Sequence, residues 1–166
     1  MLRTFALVMM LVACGGSPQP EPSGPVAMRK AIPRNELPTE IQPLVPKHGV
    51  YLAGGGASST VFRVIVDTDA KTIYTGTSPA GSPLHGQMAE ERTRELTPAN
   101  EQHLMKLCAD AWAERAPDAP SDPVEGYDEI LVVADNAELF FLHERGPIKR
   151  PAAVKAIEAL RAAAAL

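Results

Sequence analysis

The sequence predicts an α+β fold: a small antiparallel sheet of two hairpins with two helices packed on one face, in the order ββαββα after a disordered proline-rich tether. Three observations carry this expectation. Strand–turn–strand patterns recur at 60–75 and 130–142. Each is followed by a segment that opens with proline and places apolar residues at helical spacing. Ahead of both lies a stretch holding half of the chain's 16 prolines: Pro18, Pro20, Pro22, Pro25, Pro33, Pro38, Pro43 and Pro46. A sheet and two helices, each with one apolar side, bury those sides most simply as two layers.

Taken in order, the chain begins with Arg3 as its one early charge, and Phe5 to Ala13 is apolar throughout. That run is too short to span a bilayer as a helix, which needs about 20 residues. A charged start, a short apolar core and a small-residue exit read as an export signal. The exit, Leu11-Val12-Ala13-Cys14, resembles the lipobox of bacterial lipoproteins. The resemblance implies that signal peptidase II cuts before Cys14, that the Cys14 thiol carries diacylglycerol, and that the new amine is acylated. Two or three acyl chains suffice for stable attachment, since each buried CH₂ contributes about 0.8 kcal/mol. Gly15 follows the cysteine where aspartate would imply inner-membrane retention, so the resemblance favours the outer membrane of a Gram-negative envelope.

The expected division is therefore a signal peptide at 1–13, a lipidated cysteine and tether at 14–46, and a folded domain at 47–166. Proline lacks the N–H that a helix or ladder requires. A fully extended tether over 17–46 would reach on the order of 90 Å. Within it, Leu37, Ile41, Leu44 and Val45 are the residues able to pack on the domain. The mature chain carries 15 basic against 20 acidic residues, a balance of −5. That acidity argues against nucleic acid and against electrostatic docking on anionic lipid.

In the domain, Gly49 to Ala53 reads as a short strand and Gly54-Gly55-Gly56-Ala57-Ser58-Ser59 as a flexible break. Thr60 to Asp67 is rich in β-branched residues, Thr68 to Lys71 turns, and Thr72 to Thr75 returns. Thr77 to Glu95 reads as a polar loop. Thr97 is an N-cap, Pro98 suits the first helical position, and Leu104, Leu107, Cys108 and Ala111 form one helical stripe with Trp112 beside it. Pro117, Pro120 and Pro123 end that helix in an acidic loop with Asp118, Asp122, Glu125 and Asp128. Ile130 to Ala134 and Leu139 to Leu142 are strands around an Asp135-Asn136 turn. Pro151 opens the last helix, with Val154, Ile157 and Leu160 inward.

Candidate chemistry is sparse. Asp67-Thr68-Asp69 after Val64-Ile65-Val66 resembles the Asp-x-Asp start of haloacid-dehalogenase-type phosphatases. Lys71 stands where that family needs threonine, no crossover helix follows, and a polar hairpin turn is the better reading. The triple glycine lacks the lysine and following helix of a phosphate loop. His48, His85, His103 and His143 are scattered, without a ligand pair on one helix face, and no nucleophile elbow surrounds any serine, Ser82 included. Cys108, unpaired once Cys14 is lipidated, sits on the apolar helix stripe and reads as packing. No catalytic, cofactor or metal residue is assigned.

From about 60 to 165, the order of hairpin, helix opening Leu96-Thr97-Pro98-Ala99, acidic loop, hairpin and short proline-started helix is similar to emfourin-type inhibitors of thermolysin-like metalloproteases. That resemblance implies a binding module and carries no inhibitory residue across. The leading expectation is a non-enzymatic, lipid-anchored envelope protein that holds the membrane through Cys14 and binds a protein partner, with no small-molecule substrate. The alternatives are an inhibitor-like module and a small envelope hydrolase.

Overall fold

The computed structural model describes residues 31–114 and 123–166. The expected signal peptide, Cys14 and the front of the tether lie outside the described residues. So does the loop around Pro117, Asp118, Pro120 and Asp122.

The sheet is larger than the sequence suggests. It has seven strands, all paired antiparallel, in the spatial order β1-β7-β6-β2-β3-β4-β5. The strands are β1 (Ile32–Pro33), β2 (His48–Gly56), β3 (Ser59–Asp67), β4 (Thr72–Ser78), β5 (Glu90–Glu95), β6 (Tyr127–Asp135) and β7 (Glu138–Glu144), and the helices are α1 (Pro98–Ala113) and α2 (Pro151–Ala164). The chain order is therefore five strands, a helix, two strands and a helix, not ββαββα. Strand β2 accounts for most of the difference. It runs through its glycines and lies between β3 and β6, joining the two expected hairpins into one sheet. The glycines permit close backbone approach: a Cβ on Gly56 would sit 1.6 Å from the Gly126 carbonyl oxygen.

One face of the sheet meets both helices. Val50, Leu52, Val64, Val66, Leu131, Val133, Phe140 and Leu142 pack there with Leu104, Cys108, Ala156 and Leu160. Trp112 stacks on Phe140, with ring centroids 6.1 Å apart and planes at 19°. Thr97 caps α1 by accepting from the Asn100 N–H at 3.3 Å. At the other end of α1, a Glu114 carboxylate oxygen accepts from the Ala152 N–H at 3.2 Å, which ties the start of α2 to the end of α1.

The opposite face is covered as well, which corrects the expectation of a disordered stretch up to Pro46. Residues 31–46 are part of the packed body. Ile32 pairs with Leu139 at the sheet margin. Leu37, Ile41 and Val45 are buried against Tyr51, Ala53, Ile130, Val132 and Leu139. Prolines did not prevent this, because beyond the two-residue β1 the segment packs through tight turns in place of a ladder. The Arg34 guanidinium clasps it shut by donating to the carbonyls of Val45 at 2.8 Å and Pro46 at 2.6 Å. Late-hairpin residues that are apolar at successive positions are thus buried on both sides, as such runs in a sheet usually are.

Strand β5 is the other element absent from the sequence reading. All six of its residues, Glu-Glu-Arg-Thr-Arg-Glu, are exposed. It is held by pairing with β4, and the Tyr74 hydroxyl donates to a Glu91 carboxylate oxygen at 2.8 Å. A charged outer strand of this kind discourages indiscriminate pairing at a sheet edge.

Candidate functional site

Among the described residues, a groove of about 530 Å³ lies between α1 and one end of the sheet. Met105, Ala109, Trp112 and Val133 supply its apolar surface. Its charged margin comes from the start of β2, the β3–β4 turn, α1 and the end of β6. Two acid–base contacts lie on that margin, one of them an ion pair. His48 Nδ1 is 2.8 Å from a carboxylate oxygen of Asp69, and Lys71 Nζ is 2.8 Å from a carboxylate oxygen of Glu101. Asp135 adds a third carboxylate, so the margin is net acidic.

Local sequence explains the placement. Asp67 Oδ1 accepts from the N–H groups of Asp69 and Ala70 at 2.9 and 2.8 Å, which shapes the turn. Lys71 takes the left-handed conformation at φ 56° and reaches α1. The aspartates of the Asp-x-Asp stretch thus act in a hairpin turn. The Asp69–His48 pair does have the geometry of an acid–base dyad. A carboxylate only accepts, so Nδ1 holds the proton and Nε2 is left to take one. The nearby Thr68 hydroxyl is committed to the His48 carbonyl, donating at 3.0 Å, and is no ready nucleophile.

A second polar cluster lies on the opposite face. Arg63 is 4% exposed. It donates through one terminal nitrogen to the carbonyls of Leu84 and Gly86, both at 2.9 Å. The Tyr51 hydroxyl is 3.0 Å from His85 Nδ1. Burial pushes the Tyr51 hydroxyl up to about 12 against the pull of the Arg63 charge, so it is a neutral donor. Burial and Arg63 both hold His85 below the usual imidazole value.

A third cluster is structural. Glu129 is 3% exposed on β6 and accepts from the Ile148 N–H at 2.7 Å and from Arg161 of α2 at 2.9 Å. Arg161 also lies over the Phe62 ring, 4.3 Å from its centroid. Burial raises the Glu129 carboxyl, while the Ile148 amide and Arg161 oppose the rise.

The four histidines are distributed as their spacing suggests. His48 and His143 each pair with an aspartate, His143 with Asp128 at 2.9 Å, and His103 is exposed on α1. Among the described residues no group of three His, Cys, Asp or Glu side chains is placed to hold a metal ion. Cys108 is fully buried, and burial pushes its thiol up to about 12, which leaves it unreactive. Among the described residues no helix is long and apolar enough to cross a membrane. Sequence reading missed the groove because its parts come from four separate segments. The one available signal was Trp112, a large aromatic beside the apolar stripe.

No protein-family model matches the chain, and no curated protein matches it.

Proposed function

We propose that this chain is a lipid-anchored envelope protein whose body is a binding module, with the groove beside α1 as its contact surface. The observation that carries the binding reading is the groove itself, an apolar surface with a net acidic margin. Its occupant on this reading is a peptide segment of a partner protein, with an apolar side chain for Trp112 and Met105 and a basic residue for the margin. Apolar contact supplies the affinity and charge complementarity the orientation.

The anchor rests on Leu11-Val12-Ala13-Cys14. At a polyproline-like rise, the residues between Cys14 and the first described residue, Ala31, correspond to a reach of about 50 Å. That is roughly half the distance the sequence alone suggested, because 31–46 lie on the sheet.

Trp112 is the only tryptophan in the chain, so its fluorescence reports directly on the groove. Apolar–basic peptides should shift its emission, acidic peptides of equal length should not, and Ala109→Arg should abolish the response without altering the melting temperature. An emission that no peptide of either charge moves would remove the groove from consideration. Labelled fatty acid should enter the wild-type protein and not Cys14→Ser. If the wild type takes up no label and fractionates away from membranes, the anchor is wrong.

A further inference from the structure

The segment between β4 and β5, residues 79–89, crosses the sheet as a strap, and its attachments differ in chemistry along its length. Its far end is fixed by ordinary packing and backbone bonds. Met88 is 4% exposed, and the Ala89 N–H donates to the Thr77 carbonyl at 3.0 Å. Its near end is tied by the Gly81 N–H to the Gly56 carbonyl at 2.9 Å, with Gly81 at φ 79°. Its middle is held by polar side chains, with Leu84 packed against the apolar cluster beneath. Arg63 donates to the carbonyls of Leu84 and Gly86, and Tyr51 meets His85 Nδ1.

The middle has an unusual charge balance. Among the described residues no carboxylate forms an ion pair with the buried Arg63 guanidinium, and its Nε has no partner. A buried charge offset only by carbonyl and hydroxyl dipoles tolerates a second cation poorly. The Arg63 charge acts on the Tyr51 phenol, which favours its oxygen toward the guanidinium and its proton toward His85 Nδ1, 3.0 Å away.

We propose that residues 82–87 are an acid-released strap. Protonation of His85 Nδ1 removes the acceptor of the Tyr51 proton, sets a second positive charge beside Arg63, and lifts the middle of the strap from the sheet. The groups facing His85 come from five places. Burial and Arg63 on β3 disfavour its charged form, and His143 on β7 adds to them. Glu40 of the N-terminal segment and Asp128 on β6 act in the other direction. Tyr51 on β2 supplies the hydrogen bond. A histidine whose folded value is lowered contributes stability that is present above its unfolded value and lost as pH falls through the folded one. The strap is therefore closed at neutral pH and opens on the acid side of 6.5, baring a guanidinium and a phenol on a face otherwise covered.

Amide hydrogen exchange on the full chain at pH 7 and pH 5, scaled for intrinsic chemistry, tests this directly. Exchange at 82–87 should be at least tenfold faster at pH 5, while amides of β2 and β6 keep their protection. His85 should titrate below 6.5. In His85→Asn, whose side-chain oxygen can accept where Nδ1 did but cannot titrate in this range, the pH dependence should vanish whether the strap rests closed or open. Equal strap protection at both pH values in the wild type overturns the proposal. So does an acid effect that survives in His85→Asn, or one in which β2 and β6 open together with the strap.

Discussion

Phe140→Ala should lower the free energy of unfolding by about 3–5 kcal/mol, whereas Phe141→Ala should cost about 1–2 kcal/mol. The two neighbours point to opposite faces of β7. Phe140 is 1% exposed, stacks on Trp112 and packs in the helix-side core. Phe141 is only partly buried, on the side covered by residues 31–46. A domain of this size is stabilised by about 5–15 kcal/mol in total, so the first change leaves a marginal protein and the second does not. Urea midpoints at matched slopes measure both. Equal losses would mean that the two faces of this strand are not the inside of two different layers.

Glu129→Ala should be nearly as damaging, at about 3 kcal/mol, although it removes a charge from the interior. The carboxylate accepts from the Ile148 N–H, which has no other partner among the described residues, and from the Arg161 guanidinium. Removing one member of a buried pair typically costs about 3–5 kcal/mol. Arg161 is 39% exposed and can rehydrate in part, which places the expected loss at the lower end. Glu129→Gln keeps an acceptor for Ile148 and should be milder. It also isolates the pH dependence. The Glu129 carboxyl is raised above 4.5, so the folded state holds its proton more tightly than the unfolded one. Stability of the wild type relative to Glu129→Gln should therefore be greatest below pH 4.5 and decline as pH rises through the raised value. A difference that is flat from pH 4 to 8 would contradict the burial of this group.

Elements whose own residues encode them were readable from the chain. Thr97-Pro98 marked α1, and the helix begins at Pro98 with Thr97 as its cap. Pro151 likewise opens α2. The late hairpin was displaced by one residue. Asp135 pairs with Glu138, so Asn136, at φ 56°, and Ala137 make the turn that Asp135-Asn136 had suggested. Elements defined by their neighbours were not readable. Nothing in Glu-Glu-Arg-Thr-Arg-Glu alternates between apolar and polar, and only the edge of β4 makes it a strand. Gly54-Gly55-Gly56 looks like a break because glycine is permissive, yet here it lets β2 lie close against both neighbours. The covering role of 31–46 was legible in part, through Leu37, Ile41, Leu44 and Val45, which do pack on the sheet, but the Arg34 clasp to carbonyls that holds it carries no signature in sequence. The candidate site suffers most from this limit, since both the groove and the strap cluster gather side chains from distant segments.

The central position of β2 also sets the order in which the chain can reach its native state. Strands β2, β3 and β4 follow one another and can zip together locally. The other edge of β2 must wait for β6, about eighty positions further on, and closing so long a loop before any reward is what makes such topologies slow. Until β6 arrives, that edge offers unpaired backbone groups to any passing strand. The native sheet ends in a charged strand on one side, but its most adhesive edge belongs to the half-folded molecule, and it lies along Val50-Tyr51-Leu52-Ala53.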